Sequence, residues 1–176
     1  MNPADQWRTN TYLVVSTMTY EMLDDQIEAA RKTAENLDES RATIVARAMT
    51  APHKTFLQMQ HKQLEARAVW QQYFRQYDAF LMPAAFISAF PHDSRPSAQR
   101  RLQTPEGERD YSDLERWIAF ATLADLPATI APVGLTTTGL PVGVQILGPH
   151  LEDRTPIDIA ARMARVIGGF VPPPGF

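Results

Sequence analysis

The stretch LPATIAPVGLTTTGLPVGVQILG, residues 126–148, decides the fold that this sequence predicts. It holds two apolar runs, residues 128–133 and 142–147, joined by a longish loop with two glycines. Short apolar runs bounded by Gly and Pro are typical of β-strands, and two in succession indicate a hairpin. Gly143 alternates with larger side chains in the second run, which predicts a close approach of another backbone there.

Upstream of this hairpin, the sequence predicts a further strand and a long loop. Residues 79–82 form a short apolar run closed by Pro83, which is typical of a buried strand that leaves a sheet. The polar and Pro-punctuated stretch 91–105 is longer than most structural connections. Loops of this length are often functional, so we expect candidate site residues there.

Two helices are predicted in the second half of the chain. Ser112 and Glu115 have the spacing of a capping box, which predicts a helix over 112–124. A last helix is predicted from a Thr N-cap, a Pro at the first helical position and a closing glycine pair: Thr155, Pro156, Gly168 and Gly169. The remaining tail, 170–176, is Pro-rich and is expected to be extended.

The first 77 residues contain no glycine and only two prolines, and their apolar spacing is helical. One stripe, ending near Asn36, comprises Tyr20, Leu23, Ile27, Ala30, Ala34 and Leu37. A second helix should start near Ser40 and be interrupted at Pro52. A third stripe, which is typical of core, comprises Phe56, Met59, Ala66, Trp70, Phe74 and Tyr77, with Gln63 in the gap. We therefore predict a single α/β domain over 1–176, with a helical segment 1–77 followed by strand, loop, hairpin and helix over 78–176.

Composition excludes several classes of function. A hydrophobic fraction of 44% and a charged fraction of 21% are those of a globular protein. The formal charge of -3 gives no reason to expect a basic surface that binds nucleic acid. Cysteine is absent, which excludes disulfides and thiolate chemistry. No apolar run approaches the length of a membrane span, and the first residues lack the features of a leader. We expect a cytoplasmic protein without nucleic-acid or membrane partners.

The search for chemistry from the residues alone finds few candidates. The four histidines have no metal-binding spacing, and the glycines match no phosphate loop, so we predict neither a metal nor a cofactor: His53, His61, His92 and His150. His92 beside Asp93 is the one imidazole and carboxylate pair that could belong to a site. Adjacent loop residues more often form a local turn, and both interpretations stay open.

The residues just described occur in an order that resembles the amidase signature family, C-terminal region. The resemblance is carried by linked segments along the chain, namely 77–83, 89–93, 111–117, 126–134 and 139–148, and by an ending made of 151–155, 168–170 and 172–176. Helices like those of 1–77 precede this region in family members, so the match covers essentially the whole chain. One departure is Asp125, which stands where the family usually has a small residue, often Gly. The resemblance implies the C-terminal part of an α/β/α sandwich, with a small mixed sheet that includes the hairpin.

The resemblance also implies a chemistry for which this chain lacks the reacting groups. Family members attack an amide carbonyl with a Ser, assisted by a bridging Ser and a Lys base in an upstream Gly- and Ser-rich segment. The lysines here, Lys32, Lys54 and Lys62, match no catalytic position, so we predict no catalytic residue in this chain. We expect a truncated amidase, inactive alone.

What the chain could contribute is the wall of a substrate cleft. In a complete enzyme, Pro83, Phe86 and His92 are the expected lining residues for a small-molecule amide, although the alternative that they only pack stays open. Exposed strand edges would favour a homo-oligomer or a partner chain. Two other functions are kept, a non-catalytic binding or assembly protein derived from an amidase, and an unrelated enzyme built on His92 and Asp93.

Overall fold

The structure, a computed structural model, describes residues 2–172 and residue 175. Within these residues the chain forms six α-helices and five strands. In chain order they are α1 (Pro3–Met18), α2 (Asp24–Ala34), α3 (Arg41–Met49), α4 (His53–Tyr73), β1 (Phe80–Pro83), β2 (Arg101–Thr104), β3 (Gly107–Asp110), α5 (Glu115–Ala124), β4 (Ala128–Leu135), β5 (Pro141–Leu147) and α6 (Arg154–Ile167). Helices and small sheets together confirm the predicted α/β class.

The predicted hairpin is confirmed as β4 and β5, and β1 is the third strand of the same sheet. The strand order is β1-β5-β4, with β5 in the middle. Both pairings are antiparallel, and a bulge interrupts the β4–β5 register between Pro132 and Gly134. The expectation of a mixed sheet is therefore wrong for the part of the chain described, because each strand found there pairs antiparallel with its neighbours.

The core has two parts, one on the sheet and one among the N-terminal helices. Trp70 of α4 packs with Met82 of β1 and Leu147 of β5, and rings from the end of α4 surround it. Trp7 of α1 packs with Ile44 of α3 and Ala119 of α5. Helix α5 therefore lies between the two clusters and joins the helical first half to the sheet.

Helix α6 packs on the sheet through a glycine. A side chain at Gly148 would place its Cβ 2.5 Å from Cδ of Pro156, which is fully buried. The helix begins one residue before Thr155, after Asp153, and neither residue caps it through its side chain, so the predicted Thr155 N-cap is wrong. Instead, the Thr155 hydroxyl donates to Glu152 at 3.2 Å. Gly168, with φ of 84°, ends the helix as predicted.

Two helices of the first half agree with their sequence signals. Ser40 caps α3 and accepts a hydrogen bond from the Thr43 amide, and the helix ends before Pro52. Helix α4 buries Ala66 and Trp70 of its predicted stripe. It stops at Tyr73, however, so Tyr77 lies beyond the helix and is exposed rather than on the stripe.

The other two helices differ from prediction. Helix α1 was not predicted, because Trp7 is the one large apolar side chain that it buries, beside Thr9 and Thr11, and no apolar stripe marks it. Helix α2 begins at Asp24 rather than at Tyr20, which belongs to a separate 3-10 turn and is 83% exposed. Only the middle of the predicted stripe faces the protein, and its apolar ends, Leu23 and Leu37, are exposed.

The long polar stretch after β1 contains structure that was not predicted. Strands β2 and β3 form an antiparallel hairpin in which Thr104 pairs with Gly107. The predicted capping box is also wrong: Ser112 lies in a 3-10 turn before α5, and Glu115 accepts hydrogen bonds from Arg41 of α3 instead. No helix in the described residues is long and apolar enough to cross a membrane. The predicted extended tail falls partly on Pro173, Pro174 and Phe176, outside the described residues.

Candidate functional site

A cleft of about 1380 Å³ lies between the loop after β1, the β2–β3 hairpin and the β4–β5 hairpin. At its base the amide of Ala84 donates to the Gly143 carbonyl at 3.3 Å, which extends the β1–β5 pairing by one residue. A Cβ at Gly143 would lie 3.0 Å from Cγ2 of Ile130 and 3.6 Å from the carbonyl oxygen of Ala131, so the close approach at this glycine comes from a side chain rather than from the predicted backbone. Backbone groups and the Ile130 side chain thus meet at this end of the cleft.

Aromatic rings line part of the cleft wall. Phe86 lies under the guanidinium of Arg109, whose Cζ is 4.4 Å from the ring centroid. Arg109 is held in turn by Asp113, with Nη2 2.9 Å from Oδ2. Phe90 contacts Tyr111 edge to face, with the ring centroids 6.1 Å apart. The β2–β3 hairpin and the turn after it thus cover rings contributed by the loop after β1.

Asp93 lies on the cleft wall but is fully engaged within its own loop. Its carboxylate accepts hydrogen bonds from the Arg95 side chain at 2.7 and 3.0 Å and from the Arg95 amide at 3.0 Å. The Arg95 side-chain hydrogen bonds are the main reason that the pKa of Asp93 falls from 3.8 to about 2. In the part of the chain described, His92 makes no hydrogen bond or ion pair, so Asp93 does not orient it. The geometry thus favours the local-turn interpretation of this pair.

Arg100 differs from the other two arginines of the cleft. Arg95 pairs with Asp93, and Arg101 pairs with Asp110 at 3.1 Å. Arg100 is half-buried, and its Nε donates to the carbonyl oxygen of Arg95 at 2.6 Å. Its Cζ lies 5.1 Å from the centroid of the Tyr111 ring. Among the described residues, no carboxylate lies within ion-pair distance of its guanidinium.

The structure brings two of the three predicted lining residues together. Phe86 and His92 lie on the cleft wall, whereas Pro83 ends β1 opposite Val144 and is not part of the wall. Sequence reasoning missed the contributions of Arg109 and Tyr111, because the hairpin and the turn that carry them were not predicted. The signal that could have found the hairpin is the Pro105-Glu106-Gly107 turn between two short runs.

The described part of the cleft wall contains the hydroxyl of Ser88 but no lysine. The three lysines of the chain are exposed on helices α2 and α4, away from this cleft. Among the described residues, no group of three His, Asp or Glu side chains is placed to hold a metal ion. The described wall therefore combines aromatic rings, arginines and backbone.

Comparison with known proteins gives consistent matches to one family. The sequence model of the Amidase family matches residues 8–156. Over 90 residues the chain is 30% identical to the fatty acid amide hydrolase of Arabidopsis thaliana, a match that covers 50% of this chain and 14% of that protein. Over 95 residues it is 32% identical to the fatty acid amide hydrolase of Medicago truncatula, covering 54% of this chain and 15% of that protein.

A similar fold is found among solved structures. The crystal structure of a bacterial aryl acylamidase of the amidase signature family superposes with a TM-score of 0.64 and 17% identity. That match covers 96% of this chain and 35% of the solved chain. At this identity the likeness establishes the fold. The chain thus spans about a third of the solved structure and a much smaller part of the two curated relatives.

Proposed function

We propose a function from one premise: this chain belongs to the Amidase family. We infer that it takes part in the hydrolysis of carboxylic amide C–N bonds, as the C-terminal part of a complete enzyme. In that enzyme the residues described here supply the sheet β1-β5-β4 and one wall of the substrate cleft. The family match, which extends over both the helices and the sheet, is the observation that carries this proposal.

We further propose that these 176 residues are inactive alone. This is supported by the positions of the lysines on exposed helix faces, since a Lys base must lie within hydrogen-bond reach of the Ser that it activates. It is also supported by the engagement of Asp93 with Arg95, which leaves His92 without an orienting carboxylate. In the complete enzyme the cleft wall then helps to bind and position the substrate, while the nucleophile and the base come from a different segment.

Two measurements test this proposal separately. The purified chain is assayed for amine and ammonia release on a panel of simple amides and is treated with a fluorophosphonate that labels activated serines. We expect no turnover above a heat-denatured sample and no labelled serine. Turnover that copurifies with the chain and stops on heating would overturn the proposed inactivity. The gene is then sequenced upstream of Met1, where an in-frame Gly- and Ser-rich segment is expected, and a stop codon there would contradict the role in a complete enzyme.

A second candidate function is a non-catalytic binding or assembly protein derived from an amidase. It is favoured by the outer edge strand β4, on which Ile130 is 56% and Leu135 is 69% exposed. Unpaired edges with exposed apolar side chains favour association with another chain or a second copy. Analytical ultracentrifugation tests this candidate, because a concentration-independent monomer would count against it.

We also propose a cytoplasmic location on the basis of the ordinary globular composition, which cell fractionation would test.

A further inference from the structure

The charged groups on the cleft wall are unevenly balanced. They comprise three arginines and one aspartate: Asp93, Arg95, Arg100 and Arg101. Asp93 is neutralised by Arg95, and Arg101 is neutralised by Asp110 outside the wall. Arg100 makes no ion pair with the described residues, although it is near enough to Asp93 to help lower the pKa of that carboxyl, which Arg95 already neutralises. A half-buried cation whose nearby carboxylate is already paired with another arginine favours an anionic ligand.

The guanidinium of Arg100 is already held in place. Its Nε is fixed by the carbonyl oxygen of Arg95, and its plane lies near the ring of Tyr111. Its two terminal nitrogens make no hydrogen bond with the residues that the structure describes. A planar guanidinium with free terminal N–H groups matches a carboxylate, which it can bind through two parallel hydrogen bonds. Because a single arginine is unpaired, a monoanionic carboxylate fits better than a phosphate dianion.

The rest of the wall is suited to an aromatic group. Phe86 and Phe90 lie on the wall, and Arg109 covers one face of Phe86. Phe90 is 41% exposed and meets Tyr111 edge to face. Aromatic side chains bind a further ring in offset or edge-to-face contact, and ligand pockets combine such apolar walls with a few placed polar groups.

We propose that this cleft binds a small molecule that carries both a carboxylate and an aromatic ring, with the carboxylate on Arg100 and the ring against Phe86 and Phe90. The amide bond of the ligand rests on the proposed function, whereas the carboxylate and the ring rest on the cleft alone. The substrate class is therefore an N-aroyl amino acid or a related aryl amide with a free carboxylate.

Three matched ligands test the proposal on the full chain by isothermal titration calorimetry and by NMR shifts of labelled Phe and Arg side chains. Hippurate carries the ring, the amide and the carboxylate. N-benzoylglycinamide has the same ring and amide without the charge, and 4-phenylbutyrate has the same ring and carboxylate without the amide. We expect hippurate to bind about tenfold more tightly than N-benzoylglycinamide, with an advantage that shrinks as salt is added.

Variants test whether Arg100 is the residue that binds the carboxylate of the ligand. Arg100→Gln should weaken hippurate binding about tenfold and leave N-benzoylglycinamide binding unchanged. Arg100→Lys should recover part of the lost hippurate affinity, because lysine keeps the positive charge but cannot donate the two parallel hydrogen bonds of a guanidinium. Arg75→Gln is the matched control, since Arg75 is an exposed arginine after α4 that has no ion-pair partner among the described residues and lies off the cleft. If Arg100→Gln does not fold, the comparison of hippurate with N-benzoylglycinamide on the unaltered chain still tests the carboxylate site.

The outcomes separate this proposal from the proposed function. Equal binding of hippurate and N-benzoylglycinamide, or no binding of hippurate by the folded chain, would overturn the carboxylate site. Binding of 4-phenylbutyrate as tight as that of hippurate would support the carboxylate and ring sites but would remove support for amide recognition. That result would count against the proposed function and not against this proposal. An equal loss in Arg75→Gln and Arg100→Gln would show a nonspecific charge effect and would also overturn the proposal.

Discussion

The guanidinium of Arg67 in α4 donates hydrogen bonds to the carboxylate of Asp125 and to the carbonyl oxygen of Ala124. Arg67 therefore caps the C-terminus of α5 from another helix. Asp125 has φ of 50° and ψ of 44°, the left-handed conformation that glycine adopts without cost. This conformation explains why the family resemblance leads one to expect a small residue here. The contact with Arg67 offsets part of the cost of a larger side chain.

Substitutions at Asp125 should separate backbone strain from the ion pair. Asp125→Ala keeps a side chain in the left-handed conformation and loses Arg67, so we expect a loss of about 1–2 kcal/mol in the free energy of unfolding. Asp125→Gly loses the same ion pair but removes the strain, so its stability should lie within about 0.5 kcal/mol of the unaltered chain. Urea denaturation measures both, and equal losses in the two variants would contradict the role of the left-handed conformation.

Gly148→Ala should loosen the packing of α6 on the sheet. The added Cβ would meet Cδ of Pro156, a buried ring that cannot rotate away, so we expect a loss of about 1–3 kcal/mol. Gly169→Ala is the matched control, because its Cβ would lie 3.5 Å from Cβ of Ala164, an ordinary contact. Thermal unfolding by circular dichroism compares the two. An unchanged midpoint in Gly148→Ala would mean that α6 does not pack against this glycine.

Trp7 should be a main anchor of the N-terminal helices. It is 6% exposed, packs against Ile44 and Ala119, and lies under the guanidinium of Arg116 with Cζ 4.7 Å from the ring. We expect Trp7→Ala to destabilise the chain by about 3–5 kcal/mol in chemical denaturation. Tyr20→Ala, at an exposed aromatic of the same half, should cost less than about 0.5 kcal/mol. Similar losses in both variants would argue against a packed helical half.

The Asp93 carboxylate should titrate at unusually low pH. Because Arg95 lowers its pKa from 3.8 to about 2, the pairing stabilises the loop above about pH 4, and this contribution is lost as the pH falls through about 2. Carbon-13 NMR of labelled aspartate should place its midpoint well below 3.8. Arg95→Gln should move the midpoint upward, while Arg75→Gln should leave it unchanged. An ordinary midpoint in the unaltered chain would contradict the ion pair.

The sequence predicted the elements whose burial follows a simple period or whose ends carry strong signals. The β4–β5 hairpin, the start of α3 near Ser40 and the Trp70 stripe of α4 are of this kind. Helix α1 was missed because its buried face carries Thr9 and Thr11, so no apolar stripe marks it. Its beginning did carry a signal, since Asn2 caps the helix through the Asp5 amide and Pro3 follows directly.

The candidate site was less predictable, because it depends on contacts between segments distant in sequence. The resemblance led to Phe86 and His92, both of which the structure places on the cleft wall. The β2–β3 hairpin escaped prediction because β3 is exposed along its whole length and thus has no apolar alternation. Arg100 lies in the stretch that was expected to be functional, but that it makes no ion pair of its own is visible only once the partners of Arg95 and Arg101 are known.

The position of β5 in the middle of the sheet also has a consequence for synthesis on the ribosome. Strand β1 is made before β5, its neighbour among the described strands, and β2, β3, α5 and β4 are translated between the two. Until β5 emerges, β1 waits for that partner, and Leu81, which is 49% exposed even in the finished sheet, stays available for wrong pairings. The first helices can pack during translation, whereas the sheet β1-β5-β4 closes only when β5 has emerged.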